Sequence, residues 1–258
     1  MTRSREAAVV ARLRAAGCVF AEDEARLLLA SAGSPAELDV LVGRRVAGEP
    51  LEHVLGWVEF CGLRVAVAPG VFVPRRRTEV LVEAAVALAR PGAVVVDLCC
   101  GCGALGLAVA TSVADVELHA ADVDPTAVAC AAENVAAFGG HAYAGDLFEA
   151  LPAELRGRVT LLLANVPYVP SDAIALMPPE ARLHEARVAL DGGADGLDVA
   201  RRVIAEAPRW LAPGGSLLFE TSEHQAVAAA DAVATAGLAA RVVSDDERGA
   251  TVVVGTRG

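Results

Sequence analysis

The chain contains no lysine, and all 22 of its cationic side chains are arginines. Its 33 acidic side chains outnumber them, so the formal net charge is −11 and the isoelectric point is about 4.9. An acidic protein repels a phosphate backbone, which weighs against a general nucleic-acid-binding surface. We therefore expect no nucleic-acid partner. The lack of lysine itself, beside abundant alanine, valine and glycine, indicates a GC-rich coding bias rather than a function.

Long apolar runs and cysteines are also scarce. The longest uncharged stretch, residues 98–114, contains several glycines and is typical of a loop followed by a helix rather than a membrane span. Six cysteines in 258 residues do not predict a disulfide framework. The first residues lack an apolar core followed by a small-residue cleavage site, so no signal peptide is predicted. These absences predict a cytoplasmic protein that does not engage a membrane.

The pattern of residues divides the chain into three parts, of which the first two are small. Residues 1–50 have leucine and valine at helical spacing, and a third helix is expected to start at a capping box formed by Ser34, Pro35 and Glu37. This helical bundle suits substrate recognition, a lid over a site, or a stabilising appendage. Residues 51–76 alternate in polarity around a glycine turn, which predicts a β-hairpin linker.

Residues 77–258 alternate between helical and strand patterns. Such alternation is typical of an α/β fold with a doubly wound, Rossmann-like parallel sheet. Strands are expected at residues 93–97, 116–121, 141–143, 159–164 and 216–221. Two more strands, near 239–243 and 251–255, are separated by a turn-like acidic segment, which predicts an antiparallel hairpin at the end of the sheet.

A glycine-rich loop follows the first of these strands. Gly101, Gly103 and Gly106 satisfy the spacing of dinucleotide-binding loops. Asp122 follows the next strand, where a ribose-binding carboxylate is expected. A nicotinamide or flavin dinucleotide and S-adenosylmethionine (SAM) both fit this pattern. Asp97 favours SAM, because a carboxylate directly before the glycines can address the ammonium group of the methionine moiety and would repel a pyrophosphate.

Polar residues at two further strand ends also favour SAM. Asp146 follows the third strand and is suited to the amino group of an adenine. Asn165 follows the fourth strand and starts a segment that has no role in hydride transfer. The loop cysteines Cys99, Cys100 and Cys102 have no histidine or fourth cysteine at ligand spacing, so no metal site is predicted. A redox-sensitive thiol at this loop stays an alternative.

The segment Asn165-Val166-Pro167-Tyr168 is the candidate catalytic site. The strand before it is uninterruptedly apolar, as expected for a strand buried on both faces, and open α/β sheets bind ligands at the carboxyl ends of their strands. Pro167 donates no N–H and biases Val166 towards an extended backbone. A carboxamide, a carbonyl oxygen and an aromatic ring are thereby held together, an arrangement that can grip a planar amino or amide nitrogen.

These motifs resemble those of the protein N5-glutamine methyltransferases that modify peptide chain release factors, over nearly the full length of the chain. The shared elements are Pro74-Arg75-x-x-Thr78-Glu79, Asp97 with its glycine loop, Asn165-x-Pro167-Tyr168, and the segments 177–185 and 190–198. The last two segments are specific to this family. The Asn-Pro-Pro-Tyr type of motif is shared with DNA adenine methyltransferases.

The resemblance implies a SAM-dependent methyltransferase domain whose acceptor is a glutamine amide of a release factor or a related protein. It implies a SAM site formed by Asp97, Cys99, Gly101, Gly103, Asp122, Val123, Asp146, Leu147 and Asn165. It also implies a catalytic segment formed by Asn165, Val166, Pro167 and Tyr168. In this segment the Asn165 side-chain oxygen and the Val166 carbonyl accept hydrogen bonds from the substrate amide, and Tyr168 stacks near the amide plane.

The sequence departs from the family pattern near the substrate side. Val166 and Cys99 stand where the family has proline and glycine, and Arg76-Arg77 replaces a Pro-Glu pair. The alternatives are therefore another amide or amine acceptor, adenine N6 methylation of a nucleic acid, and a catalytically degenerate SAM-fold protein.

Charged residues around the substrate motif are expected to have structural roles. Glu180, His184 and Glu185 are more typical of residues that order a loop than of a catalytic base, since transfer from a sulfonium donor does not demand a strong base. Arg75 and Glu79 fit either a salt bridge or the floor of the SAM pocket.

Overall fold

The computed structural model describes residues 2–258. The chain begins with a bundle of helices: α1 (Thr2–Ala15), α2 (Ala21–Ser31), α3 (Pro35–Val46) and the short α4 (Leu51–Leu55). Their apolar faces pack around a cluster of their own, in which Leu13, Leu28 and Val42 are fully buried. Ser34 caps α3 by accepting a hydrogen bond from the Glu37 N–H, as predicted. Helix α4 was not predicted, because five residues carry too little periodicity to indicate a helix.

An antiparallel hairpin, β1 (Trp57–Phe60) and β2 (Leu63–Ala66), follows these helices. Its residues Phe60 and Val65 are buried in an apolar core shared with the large sheet. The Asn134 side chain accepts a hydrogen bond from the Ala66 N–H (3.0 Å) and donates one to the Ala66 carbonyl (2.8 Å). The hairpin is therefore fixed to the α/β part of the chain by apolar packing and by hydrogen bonds to its backbone.

Within residues 2–258 the main sheet has seven strands, in the order β5-β4-β3-β6-β7-β9-β8. They are β3 (Val94–Leu98), β4 (Glu117–Asp122), β5 (His141–Ala144), β6 (Val159–Ala164), β7 (Leu211–Thr221), β8 (Ala239–Asp245) and β9 (Ala250–Thr256). Strands β3 to β7 run parallel, and β9 is antiparallel to both β7 and β8. The predicted Rossmann-like α/β sheet and its antiparallel ending are confirmed.

Helices cover both faces of this sheet. They are α5 (Glu79–Leu88), α6 (Ala104–Ser112), α7 (Pro125–Val135), α9 (Asp198–Trp210) and α10 (Ala226–Thr235), whereas the short α8 (Pro179–His184) lies in the connection between β6 and α9. Successive residues of β3 enter opposite apolar clusters, with Val95 on one face and Val94 and Val96 on the other. Burial of both faces explains why the strands are unbroken apolar runs. No helix in the described residues is long and apolar enough to cross a membrane.

The order of the strands determines where a ligand can bind. From β3 the sheet continues to one side through β4 and β5, and to the other side through β6. Open α/β sheets bind ligands at the carboxyl ends of the strands, where the strand order reverses in this way. The glycine loop after β3, Asp122 at the end of β4 and Asn165 after β6 all lie at this edge.

Candidate functional site

A cavity of about 330 Å³ lies at this edge of the sheet. Its walls include eight of the predicted site residues: Cys99, Gly101, Asp122, Val123, Asp146, Leu147, Asn165 and Pro167. Four others, Asp97, Gly103, Val166 and Tyr168, are not among the cavity-lining residues in the described part of the chain. The glycine loop and the Asn165 segment, which are more than 60 positions apart in the sequence, thus meet at one cavity.

The glycine loop adopts backbone conformations that favour glycine. Gly101 and Gly103 have φ angles of +54° and +76°, and Cys99 has +51° despite its Cβ. The Gly101 N–H donates to one Asp122 carboxylate oxygen and the Asp124 N–H to the other, both at 2.9 Å. Burial raises the pKa of Asp122 above its usual range, and the two N–H donors oppose this rise. Asp122 therefore joins the loop to the end of β4 while lining the cavity.

Asp97 is fully buried near the end of β3, and its two oxygens have different surroundings. One accepts a hydrogen bond from the Gly106 N–H at 2.9 Å, in the first turn of α6. The other has no hydrogen-bond partner among the described residues. Burial raises the pKa of Asp97 to about 7, and the Gly106 N–H opposes the rise. A cation near the unpartnered oxygen would favour the carboxylate form.

An ion pair in the cavity wall joins Asp146, which follows β5, to Arg202 of α9 at 2.7 Å. About half of each side chain is exposed, so solvent screens the pair. Asp146 was a predicted site residue. Arg202 was not predicted to belong to the site, because the adjacent pair Arg201-Arg202 is typical of a small basic patch on the surface.

The segment after β6 divides between the cavity and the core. Asn165 and Pro167 line the cavity. Val166 is 2% exposed and packs in the apolar cluster on the α9 face of the sheet. The Tyr168 hydroxyl accepts a hydrogen bond from Arg77 at 2.6 Å and donates one to Glu220 at 2.9 Å. The Tyr168 side chain, predicted to stack beside the substrate amide, is thus held by two charged residues that were not predicted to belong to the site.

Burial raises the pKa of Tyr168 to about 12, with the negative charge of Glu220 as the next cause. The phenol therefore keeps its proton at neutral pH and remains the donor to Glu220. The Arg77 guanidinium has only donor groups. Both hydrogen bonds of the Tyr168 hydroxyl therefore have a fixed direction: it accepts from Arg77 and donates to Glu220.

The segment 190–198, one of the two family-specific motifs, contacts the backbone of the Asn165 segment through hydrogen bonds and close packing. The Val169 N–H donates to the Leu190 carbonyl (3.1 Å), and the Gly192 N–H donates to the Val169 carbonyl (2.8 Å). A Cβ on Gly192 would lie 2.7 Å from the Pro167 carbonyl oxygen, and one on Gly196 would lie 2.3 Å from that of Tyr168. The glycines of the motif are therefore needed for close backbone contact with the Asn165 segment.

Gln225, after β7, completes this support and was not predicted. Its side-chain N–H groups donate to the carbonyls of Tyr168 (3.0 Å) and Asp195 (2.8 Å). Its side-chain oxygen accepts hydrogen bonds from Thr221 and Ser222. The sequence signal was the capping-box spacing of Ser222 and Gln225, which reveals the local turn but not the distant partners.

Two further segments, one around Gly70 and one around Ala186, form part of the cavity wall. The Ala186 N–H donates to the Gly70 carbonyl at 3.1 Å, and residues on both segments line the cavity. Glu185, buried beside them, accepts hydrogen bonds from the Val73 N–H and from Arg75. Arg75 thus pairs with Glu185 and not with Glu79, which accepts the Cys61 N–H at 3.1 Å. The loop-ordering role expected for Glu185 is confirmed.

The N-terminal helices reach this wall through buried polar groups. His53 lies with its Nε2 atom 2.8 Å from the carbonyl oxygen of Val71, a cavity-lining residue. Arg45 is 7% exposed and pairs with Glu24 at 2.7 Å and with Glu180 of α8 at 2.6 Å. The structural role expected for Glu180 is therefore confirmed.

The fold and the cavity define a protein of the methyltransferase class. Residues 62–242 match the family described as the Methyltransferase small domain. A methyltransferase from Pyrococcus furiosus has the same fold, with a TM-score of 0.58 at 14% identity, over 76% of this chain and 90% of that one.

Two curated relatives make the assignment narrower. A release factor glutamine methyltransferase from Geobacter sulfurreducens is 37% identical over 219 residues, 84% of this chain and 76% of that protein. Another from Cereibacter sphaeroides is 38% identical over an alignment of 272 positions, which covers 97% of this chain and 96% of that protein. The chain belongs to the release factor glutamine methyltransferase family and is an enzyme. The family resemblance noted in the sequence is confirmed.

Proposed function

We propose that this chain binds SAM and methylates the side-chain amide nitrogen of a glutamine in a peptide chain release factor. One observation carries the proposal: Asn165 lines the same cavity as Asp122, Asp146 and the glycine loop. A residue that can form hydrogen bonds to an amide and several residues suited to SAM therefore line the same cavity. Such a substrate also implies a cytoplasmic enzyme, because release factors act on ribosomes there.

The residues around the cavity fit SAM in charge and in shape. Asp97 is buried beside the glycine loop and is not among the cavity-lining residues described, but one of its oxygens has no hydrogen-bond partner among the described residues and is suited to the ammonium group of SAM. Asp122 lines the cavity at the end of β4 and is suited to the ribose hydroxyls. Asp146 and Leu147 follow β5 and are suited to the adenine. The left-handed backbone at Gly101 allows a ligand to approach the loop closely.

The chemistry required of the protein is mainly positioning. An amide nitrogen is a weak nucleophile because its lone pair is delocalised into the carbonyl group. When bound, SAM would supply an electrophilic methyl carbon on a sulfonium centre; transfer would break the S–CH3 bond and release S-adenosylhomocysteine, and the amide nitrogen would lose one proton to solvent. The Asn165 side-chain oxygen and the Val166 carbonyl accept hydrogen bonds from the two N–H bonds of the substrate amide. These acceptors would orient the nitrogen and increase its electron density, which is the contribution proposed for the protein.

A methyl-transfer assay tests the function directly. The chain is incubated with SAM carrying a labelled methyl group and, in separate reactions, with a release factor or with double-stranded DNA. We expect label on the release factor only, and mass spectrometry should locate it on a glutamine side chain. Label on adenine, or on a protein residue other than glutamine, would contradict the proposal. Calorimetry with SAM alone is the companion measurement, since a chain that does not bind SAM would be a degenerate member of the family.

A further inference from the structure

Tyr168 is held by a network of charged and polar groups that does not reach the cavity. Arg77 lies in the turn before α5, and Glu220 lies near the end of β7. Arg77 donates to the Tyr168 hydroxyl at 2.6 Å and to one Glu220 oxygen at 2.8 Å. The Tyr168 hydroxyl donates to that same oxygen, and Thr78 donates to the other. Three residues thus form a closed triangle around one carboxylate oxygen.

The burial of Glu220 determines which groups can surround its carboxylate. The Glu220 side chain is 2% exposed, so a cation and hydrogen-bond donors are needed to offset the desolvation of its carboxylate. Arg77 supplies the cation, and Tyr168 and Thr78 supply further donors. Loss of any one donor leaves a buried acceptor partly unsatisfied, which the structure can relieve only by moving a side chain. Tyr168 is the member connected to the cavity-lining segment.

The Tyr168 backbone is fixed as well as its side chain. Gln225 donates to the Tyr168 carbonyl at 3.0 Å, and the Val169 N–H donates to the Leu190 carbonyl at 3.1 Å. The residue before Tyr168 is Pro167, whose ring restricts φ. A displacement of Tyr168 is therefore transmitted to Asn165 through a stiff connection of two residues.

We propose that Arg77 and Glu220 are positioning residues that hold Tyr168, and through it the Asn165 carboxamide, at the angle needed to grip the acceptor amide. This inference rests on the proposed function. Neither residue contacts the acceptor, and both act through the Tyr168 hydroxyl. Arg77 occupies one of the positions where the sequence departs from the family pattern, and the structure gives that arginine a defined task.

Steady-state kinetics of Arg77→Met, Tyr168→Phe and the double variant test the proposal, with release factor as acceptor. Each single change should lower kcat about 10- to 100-fold, because small misplacement of a reacting group has effects of this size. The KM for the release factor and the Kd for SAM should stay within about twofold, since neither residue lines the cavity. The double variant should be no slower than the slower single variant, because both changes break the same link.

Two further variants keep the test decisive. Arg76→Met is the matched control, because Arg76 is the exposed neighbour of Arg77, and its kcat should equal that of the wild type. Arg77→Lys preserves the charge that Glu220 needs but cannot donate from two fixed nitrogens, and should recover part of kcat. It also guards against simple misfolding of Arg77→Met, which thermal unfolding of both variants would detect.

A readout independent of turnover is hydrogen–deuterium exchange of residues 165–169 in the free protein. We expect faster exchange at the Val169 amide in Arg77→Met and in Tyr168→Phe, and unchanged exchange in Arg76→Met. Multiplicative losses of kcat in the double variant, or exchange equal to the wild type in both single variants, would overturn the inference. Failure of the wild type to methylate release factor would instead contradict the proposed function, and the exchange experiment would still report on positioning.

Discussion

The cofactor side and the acceptor side of the cavity are constructed in different ways. On the cofactor side the contacts that shape the glycine loop are short in sequence: Asp97 binds the Gly106 N–H nine positions on, and Asp122 binds the Gly101 N–H 21 positions back. The half-exposed Asp146–Arg202 pair, 56 positions apart, is the exception on this side. On the acceptor side the contacts of the Tyr168 side chain are long. Tyr168 is 91 positions from Arg77 and 52 from Glu220.

The difference also concerns the kind of group involved. Carboxylates that bind backbone N–H groups within one βαβ unit shape the glycine loop on the cofactor side. Side-chain ion pairs and close backbone contacts between distant segments hold the acceptor side. Binding of SAM and orientation of the acceptor should therefore be separable by mutation, and the following predictions test that separation.

The largest expected effect is that of Asn165→Ala. Removal of the carboxamide should lower kcat about 10²- to 10³-fold, the size seen when one preorganised hydrogen-bonding group is removed from a catalytic site. Calorimetry should give a Kd for SAM within about threefold of the wild type, since the proposed SAM site is formed mainly by the loop and the strand-end carboxylates. If SAM affinity and kcat fell together, Asn165 would belong to the cofactor side and the separation would be wrong.

Local sequence patterns predicted the sheet and the residues that shape the glycine loop. The apolar run at 159–164 has the bounds of β6, and the order of helices and strands predicted a parallel sheet with an antiparallel ending. Glycines where the backbone is left-handed and acidic residues at the ends of apolar strands can be recognised in the sequence, because each depends only on neighbouring residues. Cys99 is the exception, since its φ of +51° is not indicated by a cysteine.

The supports of the acceptor side could not be predicted in the same way. Arg77, Glu220 and Gln225 meet Tyr168 only after the sheet has assembled, and no spacing rule connects them. Arg75 illustrates the limit, because the sequence offers Glu79 four positions away, whereas the structure pairs Arg75 with Glu185, 110 positions away. Partner choice among many arginines and acids depends on which strands become neighbours.

Asp97→Asn tests the cofactor side through the pH dependence of stability. The folded-state pKa of Asp97 is about 7, above its ordinary value of 3.8, so the folded protein keeps a proton that the unfolded chain has lost. Wild-type stability without SAM should therefore fall relative to Asp97→Asn as pH rises from about 4 to about 7, by about 3 kcal/mol between pH 5 and pH 8. Asparagine retains an oxygen that can accept the Gly106 N–H.

Urea unfolding of the two proteins at pH 5 and pH 8 measures this difference, and groups that titrate equally in both cancel. Asp246→Asn, at an exposed site, is the control and should follow the wild type. SAM should bind Asp97→Asn more weakly than the wild type. A stability difference between the two proteins that stays the same from pH 5 to pH 8 would mean that Asp97 is solvated or paired in solution.

Gly196→Ala should disturb the acceptor side with a somewhat smaller effect on stability. A Cβ there would lie 2.3 Å from the Tyr168 carbonyl oxygen, at a φ of +77°. Gly237→Ala is matched in backbone strain, with φ of +82°, but its Cβ would meet nothing within 4 Å. Gly196→Ala should therefore be less stable by about 2 kcal/mol than Gly237→Ala in urea unfolding, and should lose kcat with SAM affinity retained. Equal effects of the two changes would exclude close contact at Tyr168.

The smallest expected effect is that of Arg202→Gln, which removes the partner of Asp146 in the cavity wall. Both side chains are about half exposed, so the pair is screened by solvent and orders the Asp146 carboxylate only weakly. The Kd for SAM should change by no more than about threefold, and kcat should not change, because Arg202 belongs to the cofactor side. Raising the salt concentration should reduce even this difference, since screening already weakens the pair in the wild type. A loss of kcat at unchanged SAM affinity would instead place Arg202 among the residues that orient the acceptor, and the division between the two sides would have to be redrawn at α9.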